Sequence, residues 1–231
     1  MKTIGLIGGM SWESSIEYYR IINETVRDRL GGLHSAKSVM VSVDFAEIET
    51  LQHEGKWDET AQVLIDAAQN VERGGANFVL ICTNTMHKVA DEVQAQVQIP
   101  LLHIADATAE RIKAQGLNTV GLLGTRFTME ESFYKDRLIE RHGLEVLIPG
   151  ESDREMVHRV VYDELCLGLI KGPSKEGYVR IMDHLVDEGA EGIILGCTEI
   201  SLLVGQEDSS VPLFDTTQIH AQAAVNYALE L

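Results

Sequence analysis

The chain has no run of basic residues, no long apolar stretch and only three cysteines. Each absence excludes something. Lys and Arg number 19 against 36 Asp and Glu, for a formal net charge of −17. A surface this acidic repels phosphate backbones, so no nucleic-acid partner is expected. No apolar segment approaches the roughly 18 residues that span a bilayer, so no membrane association is expected either. Cys82, Cys166 and Cys197 are odd in number and far apart. They make neither a disulfide framework nor a CxxC zinc pair. His53, His103, His142, His158 and His184 are scattered without ligand spacing, and no metal is expected. The opening Met1-Lys2-Thr3-Ile4-Gly5 runs straight into strand-like sequence without a signal-peptide pattern. With unpaired cysteines, the expectation is a cytoplasmic protein. Gly5-Leu6-Ile7-Gly8-Gly9 is not a GxGxxG fingerprint, and dinucleotide binding is not expected.

What is there is an ordinary globular composition, 45% hydrophobic and 24% charged over 231 residues. Short apolar runs alternate with longer helical patterns. The runs are Ile4–Ile7, Val39–Val43, Phe78–Cys82, Leu101–Ile104, Val120–Leu123, Ile193–Leu195 and Val211–Phe214. Most are apolar at consecutive positions, as in parallel strands buried on both faces. Between them Ala61, Leu64, Ala68 and Val71 keep helical spacing. Thr128 with Glu131 and Ser152 with Glu155 fit capping boxes, and Gly31, Gly143 and Gly189 fit helix stops. Alternation of strand and helix over the whole chain predicts an α/β fold.

The pattern also repeats. Gly5-Leu6-Ile7-Gly8 matches Gly121-Leu122-Leu123-Gly124, an offset of 116. Gly75-Ala76 before Phe78–Cys82 matches Gly189-Ala190 before Ile193–Leu195, an offset of 114. Ile99-Pro100-Leu101 matches Val211-Pro212-Leu213, an offset of 112. Three landmarks in one order imply two similar parallel-sheet α/β domains related by internal pseudo-symmetry. The boundaries expected are 1–100 plus 217–231 for the first and 101–216 for the second. Sites in parallel sheets lie beyond the carboxyl ends of the strands, so an active site in an interdomain cleft is expected.

The chemistry sits at those ends. The repeat pairs Cys197 with Thr83, not with Cys82. A strand end just before a helix sees exposed N–H groups and the positive end of a dipole. For Cys197 this predicts a lowered thiol pKa and a resting thiolate. For a substrate carboxylate the same N–H groups form a cradle, helped by the hydroxyls of Thr85 and Thr198. Thr125 and Thr128 add donors after the first strand of the second half. Acid/base groups on two faces of one carbon suit racemisation or epimerisation without a cofactor. Cys82 and Cys166 read as packing residues, Cys166 in a helix carrying Val160, Val161, Leu165 and Leu169.

Gly5-Leu6-Ile7-Gly8-Gly9-Met10-Ser11, Thr83-Asn84-Thr85-Met86-His87 and Leu195-Gly196-Cys197-Thr198-Glu199 resemble the motifs of the cofactor-independent aspartate/glutamate racemase family, over the whole chain. The resemblance implies an amino-acid racemase that interconverts L and D enantiomers with no cofactor and no pyridoxal phosphate. It implies an acid/base pair here represented by Thr83 and Cys197, with the second-half cysteine associated with the L enantiomer. It implies a substrate carboxylate held at loop and helix-terminal N–H groups, with Asn84, Thr85, Thr125, Thr198 and Glu199 around the substrate. Met10, Gln52 and Lys171 match positions that touch the amino acid or its side-chain end. A homodimer is implied, as is a C-terminal helix (Ala221 to Leu231) that returns to the first domain.

The sequence departs from the family at Thr83, where the first motif usually carries cysteine. Cys82 is one residue away and by strand alternation faces the other side. A threonine hydroxyl is a much weaker acid than a thiol, so Thr83 would relay a proton with help from water or His87. Gln52 in place of a basic residue loosens the grip on a distal carboxylate. Aspartate or glutamate is the expected substrate, with breadth toward polar residues such as homoserine. Two alternatives stand beside this reading. One is a decarboxylase or hydantoin racemase on the same scaffold. The other is a non-catalytic amino-acid-binding module that lost a cysteine.

Overall fold

A computed structural model describes residues 1–230. They form two compact units, Met1–Ile104 with the segment from His220 onward, and Ala105–Ile219. The first unit runs β1 (Ile4–Gly8), α1 (Trp12–Leu30), β2 (Ser38–Ser42), α2 (Phe45–His53), α3 (Trp57–Arg73), β3 (Phe78–Ile81), a 3-10 turn at Thr85–Val89 and α4 (Ala90–Ala95). The strands pair in parallel in the order β2-β1-β3. β1 and β3 are buried at every residue, which is why they read as unbroken apolar runs. α3 lays Ala61, Leu64, Ala68 and Val71 against one side of the sheet. Tyr18, Ile22 and Val26 of α1 cover the other side. Ser11 caps α1 by accepting the Ser14 N–H, and Gly31 ends it.

The second unit continues with α5 (Ile104–Ala114), β4 (Thr119–Gly124), α6 (Arg126–Glu130), α7 (Ser132–Asp136), β5 (Glu145–Leu147), α8 (Glu151–Asp163), α9 (Gly172–Asp187), β6 (Ile193–Gly196), β7 (Leu213–Asp215) and α10 (Thr216–Leu229). Its strands are parallel in the order β5-β4-β6-β7. The chain re-enters the first unit within α10, where Ala221, Ala224, Val225 and Ala228 join the core with Tyr18 and Phe78. Leu231, the expected end of that helix, lies outside the described residues. Among the described residues no helix is long and apolar enough to cross a membrane.

The two-sheet α/β architecture matches the expectation from the repeat, and the registers make the match residue by residue. Ile7 stands opposite Ile81, and Leu123 opposite Leu195. One step further, Gly124 stands opposite Gly196, and the Cys82 N–H bonds the Ile7 carbonyl. Thr83 and Cys197 are the next residues in each chain, at the same height beyond their sheets. The repeated glycine also has a reason. A Cβ on Gly5 would strike Val71 of α3 and lie 2.7 Å from the Phe78 carbonyl oxygen. A Cβ on Gly121 would lie 2.6 Å from Ile193 Cδ1 and 2.9 Å from Leu185 Cδ1 of α9. In each unit, the helix before the third strand can rest on the first strand only where the side chain is a hydrogen.

Several local expectations are corrected. Leu101–Ile104 is not a full strand. Leu101 makes a single bridge to Val79, and Ile104 turns away into α5 with its N–H on His87 Nε2. β5 escaped notice because it is three residues long and opens with an exposed Glu145. α8 stops at Asp163, so Leu165 and Leu169 do not continue its apolar stripe. Glu164 leaves helical geometry (φ −129°, ψ −66°) and Gly168 takes the left-handed region at φ 71°. Neither expected capping box forms. Thr125, not Thr128, caps α6, and Gly150 stands before α8.

The packing of the two units generates two predictions. Gly5→Ala forces a methyl against a backbone carbonyl and lowers stability by about 1–3 kcal/mol in urea unfolding. Gly121→Ala costs less, because side-chain ends can yield. The second concerns His220. Its Nε2 faces the Leu102 carbonyl oxygen at 2.9 Å and its Nδ1 faces the Tyr18 hydroxyl at 2.8 Å. Burial lowers its pKa to about 4. Unfolded, the ring takes up a proton near pH 6.5, so between these values the unfolded chain binds more protons. Stability therefore falls as pH drops through that window, by up to roughly 3 kcal/mol. Urea midpoints at neutral and acid pH, compared with His220→Gln, should show a shallower slope in the variant.

Candidate active site

In each sheet the first strand lies between the second and third, so strand addition reverses beside it. The crevice at such a reversal is where parallel α/β sheets hold ligands. In the first unit it falls between the ends of β1 and β3. β1 ends in Gly8-Gly9-Met10-Ser11. Gly9 has φ 94°, and a Cβ there would strike the Val43 backbone, so only glycine lets the turn close. Beyond β3, Thr83 is half-buried and Asn84 and Thr85 are buried. Gln52, in the last turn of α2, joins this group through Met86: its Nε2 lies 2.8 Å from Met86 Sδ. Its amide oxygen is buried with no hydrogen-bond partner. Met10, Gln52, Thr83, Asn84 and Thr85 thus belong to one end of one unit.

Cys82 stands apart from them. It is 1% exposed, packed with Leu6, Tyr18 and Leu80, and burial pushes its thiol pKa up. It is a core residue, as expected. His87 does not meet the expectation of a proton relay. Its Nδ1 lies 2.8 Å from the Thr83 carbonyl oxygen and its Nε2 accepts the Ile104 N–H at 3.2 Å. Both ring nitrogens are committed to the backbone.

In the second unit the crevice falls between β4 and β6. A Cβ on Gly124 would lie 2.9 Å from the Gly196 carbonyl oxygen, so paired glycines let these two ends approach. Thr125 follows β4 and accepts the Thr128 N–H at 3.4 Å. Cys197 follows β6 in extended geometry and leads into a 3-10 turn at Thr198–Leu202. Its Sγ–H donates to Glu199 Oε2 at 2.9 Å. Burial first, then the Glu199 and Cys166 charges, raise the Cys197 pKa well above its ordinary value. The expected resting thiolate is therefore corrected to a resting thiol. A five-residue 3-10 turn offers a weak dipole, and a carboxylate two residues on opposes a second negative charge.

Lys171 lies just before α9, about half exposed, with Nζ 3.3 Å from Glu164 Oε1. Ser174 Oγ donates to the other Glu164 oxygen at 2.7 Å. The turn Leu165–Leu167 packs on the turn Thr198–Leu202. Buried Tyr178 has its phenol pKa raised by burial and then by the charges of Cys197, Glu164 and Cys166. Lys171 therefore reaches the Cys197 neighbourhood through Glu164. Glu164 and Tyr178 carried no sequence signal: the Glu164–Lys171 pair closes a non-helical loop, and Tyr178 reads as one more apolar position of α9. Cys166, expected only to pack, lies close enough to Cys197 to act on its ionisation.

Two duplicated α/β units thus carry thiol, hydroxyl and carboxylate groups just beyond the ends of their strands. The family profile for Asp/Glu/hydantoin racemases matches residues 7–224. A broad specificity amino-acid racemase of Bacillus subtilis, RacX, is 25% identical over 173 residues, 73% of this chain and 72% of that one. A crystal structure from Yersinia pestis, provisionally assigned as an Asp/Glu racemase, superposes over all of both chains with TM-score 0.94 at 58% identity. An aspartate racemase homologue from Pyrococcus horikoshii does so with TM-score 0.87 at 39% identity. The chain belongs to the Asp/Glu/hydantoin racemase family, and is an isomerase of amino-acid racemase type.

Glu199→Gln removes the carboxylate that opposes the thiolate. The Cys197 thiol should then titrate at lower pH than in the wild type. Ultraviolet thiolate absorbance, with Cys197→Ser as the blank, measures the shift; an unchanged or higher titration point would contradict the assigned electrostatics.

Proposed function

We propose that the protein racemises aspartate or glutamate by two-base proton transfer at Cα, with Cys197 on one face and Thr83 on the other. The observation that carries this reading is the equal register of the two residues, each two residues beyond a third-strand position, Ile81 or Leu195, that pairs with the matching residue of the first strand. In the proposal these two ends serve one substrate. Glu199 takes the Cys197 proton, and the sulfur removes the Cα proton of the L enantiomer. The negative charge that develops on the substrate carboxylate is held by N–H and hydroxyl donors of Asn84, Thr85, Thr125 and Thr198. The Thr83 hydroxyl delivers a proton to the opposite face as it takes one from solvent water, and Glu199 returns its proton to solvent. The reaction needs no cofactor, and the working form is a cytoplasmic homodimer.

Met10 and Gln52 lie toward the substrate side chain, and Lys171 acts there with Glu164. The unpartnered Gln52 oxygen wants a donor, which a side-chain carboxylate does not offer and a hydroxyl does. That supports breadth toward neutral polar amino acids such as homoserine. The two directions are chemically unequal, because a hydroxyl is a far weaker acid than a thiol. Enantiomers have equal free energy in water, so kcat/KM must still match in both directions. The asymmetry shows in kcat and KM separately.

Single enantiomers incubated in D2O, with Cα deuterium read by NMR, test the proposal. Exchange together with the opposite enantiomer supports it. CO2 release instead would make the protein a decarboxylase, and thermal stabilisation without exchange would make it a binding module. Cys197→Ser should lower exchange from the L enantiomer at least about a hundredfold. Thr83→Cys should raise kcat for the D enantiomer. Full activity in Cys197→Ser would remove the site assignment.

A further inference from the structure

His87 is 3% exposed, four residues after Thr83. A carbonyl oxygen only accepts and a backbone N–H only donates. The Thr83 carbonyl at Nδ1 and the Ile104 N–H at Nε2 therefore fix one form of the ring: neutral, with its proton on Nδ1. A proton on Nε2 would set N–H against N–H. The ring links the peptide after Thr83 to the peptide of Ile104, the last residue before the chain enters the second unit. It is packed against the rings of His103, at 4.4 Å between centroids, and His220, at 5.8 Å. His220 is itself held between Tyr18 of α1 and the Leu102 carbonyl. Turning the His87 ring away would strip both backbone groups of this partner in a buried place.

The second unit builds the matching turn differently. Ser201 stands four residues after Cys197, as His87 stands after Thr83. Its hydroxyl donates to Thr198 O at 2.9 Å, and no ring reaches to a distant segment. The difference fits the chemistry of the two ends. A thiol can be adjusted through its ionisation, and Glu199 is placed to do that. A threonine hydroxyl stays protonated at all ordinary pH, so its efficiency rests on alignment with the accepting carbon.

We propose that His87 is a positioning residue: its neutral ring ties the Thr83 peptide to Ile104 and so holds the Thr83 hydroxyl in line for proton delivery. The role rests on the racemase reading above, and it is mechanical. His87 passes no proton in this role, because both nitrogens are engaged by backbone groups.

The test uses the full chain with an L amino acid in D2O, comparing D-enantiomer formation with Cα exchange that retains configuration. Retention reports the Cys197 side alone; inversion needs Thr83 as well. His87→Leu should lower the ratio of inversion to exchange about tenfold while KM for the L substrate moves less than about twofold. His87→Asn keeps an N–H close to the position of Nδ1 and should restore most of the ratio. Equal loss of both processes in His87→Leu, or no rescue by asparagine, would reduce His87 to a packing residue and overturn the proposal. Two readings do not depend on activity. Nitrogen NMR of the wild-type ring should show the neutral Nδ1–H tautomer, and amide hydrogen exchange at Ile104 should accelerate in His87→Leu. An Nε2–H tautomer or unchanged Ile104 protection overturns the clamp even if racemisation is found. Absence of any Cα exchange in the wild type would instead sink the racemase reading and leave the clamp to these two measurements.

Discussion

The ladder between the first and third strands of each unit is the constraint on which the rest depends. It runs β1 to β3 in one unit and β4 to β6 in the other, in the same register. It creates the reversal of strand order that opens a crevice, and it sets the height at which Thr83 and Cys197 leave their sheets. It also explains the glycines. Gly5 and Gly121 let a helix settle on the first strand, and Gly124 and Gly196 let two strand ends approach. A side chain at these places would move the ends apart before it touched any chemistry.

Electrostatics distinguishes the two ends. Cys197 is half-buried, bonded to Glu199 and within the influence of Cys166, so it rests protonated. A resting thiol is protected from casual oxidation, since the thiolate is the reactive form. Glu199 has the proximity to collect the proton when a substrate arrives. Lys171 and Ser174 hold Glu164 below the usual carboxylate range, with Ser174 the larger influence. That keeps a negative charge near Tyr178.

The first unit answers with hydrogen-bond geometry in place of charge. Tyr18, His87 and His220 form a buried polar web whose members are all neutral and all tied to backbone or to each other. Low dielectric strengthens such bonds and makes each unpaired member costly. The web joins α1, the turn after β3, the segment before α5 and α10.

Most strand positions, helix faces, the duplication and the pairing of Thr83 with Cys197 in the repeat were legible in the amino-acid sequence. They depend on near-neighbour periodicity and on repeated landmarks, which a linear text preserves. Cys82 was legible as core for the same reason, since alternation turns it from its neighbour. The protonation of Cys197, the engagement of Lys171 with Glu164 and the backbone partners of His87 were not. They depend on partners brought close by folding, such as Cys166 for Cys197, Ile104 for His87 and, across a non-helical loop, Glu164 for Lys171. The break at Glu164–Gly168 likewise overrode a good helical pattern, because the chain there packs on the turn after Cys197. Sequence determined which groups stand at the ends of the sheets; tertiary structure decided their charge and direction, because burial and distant partners set both.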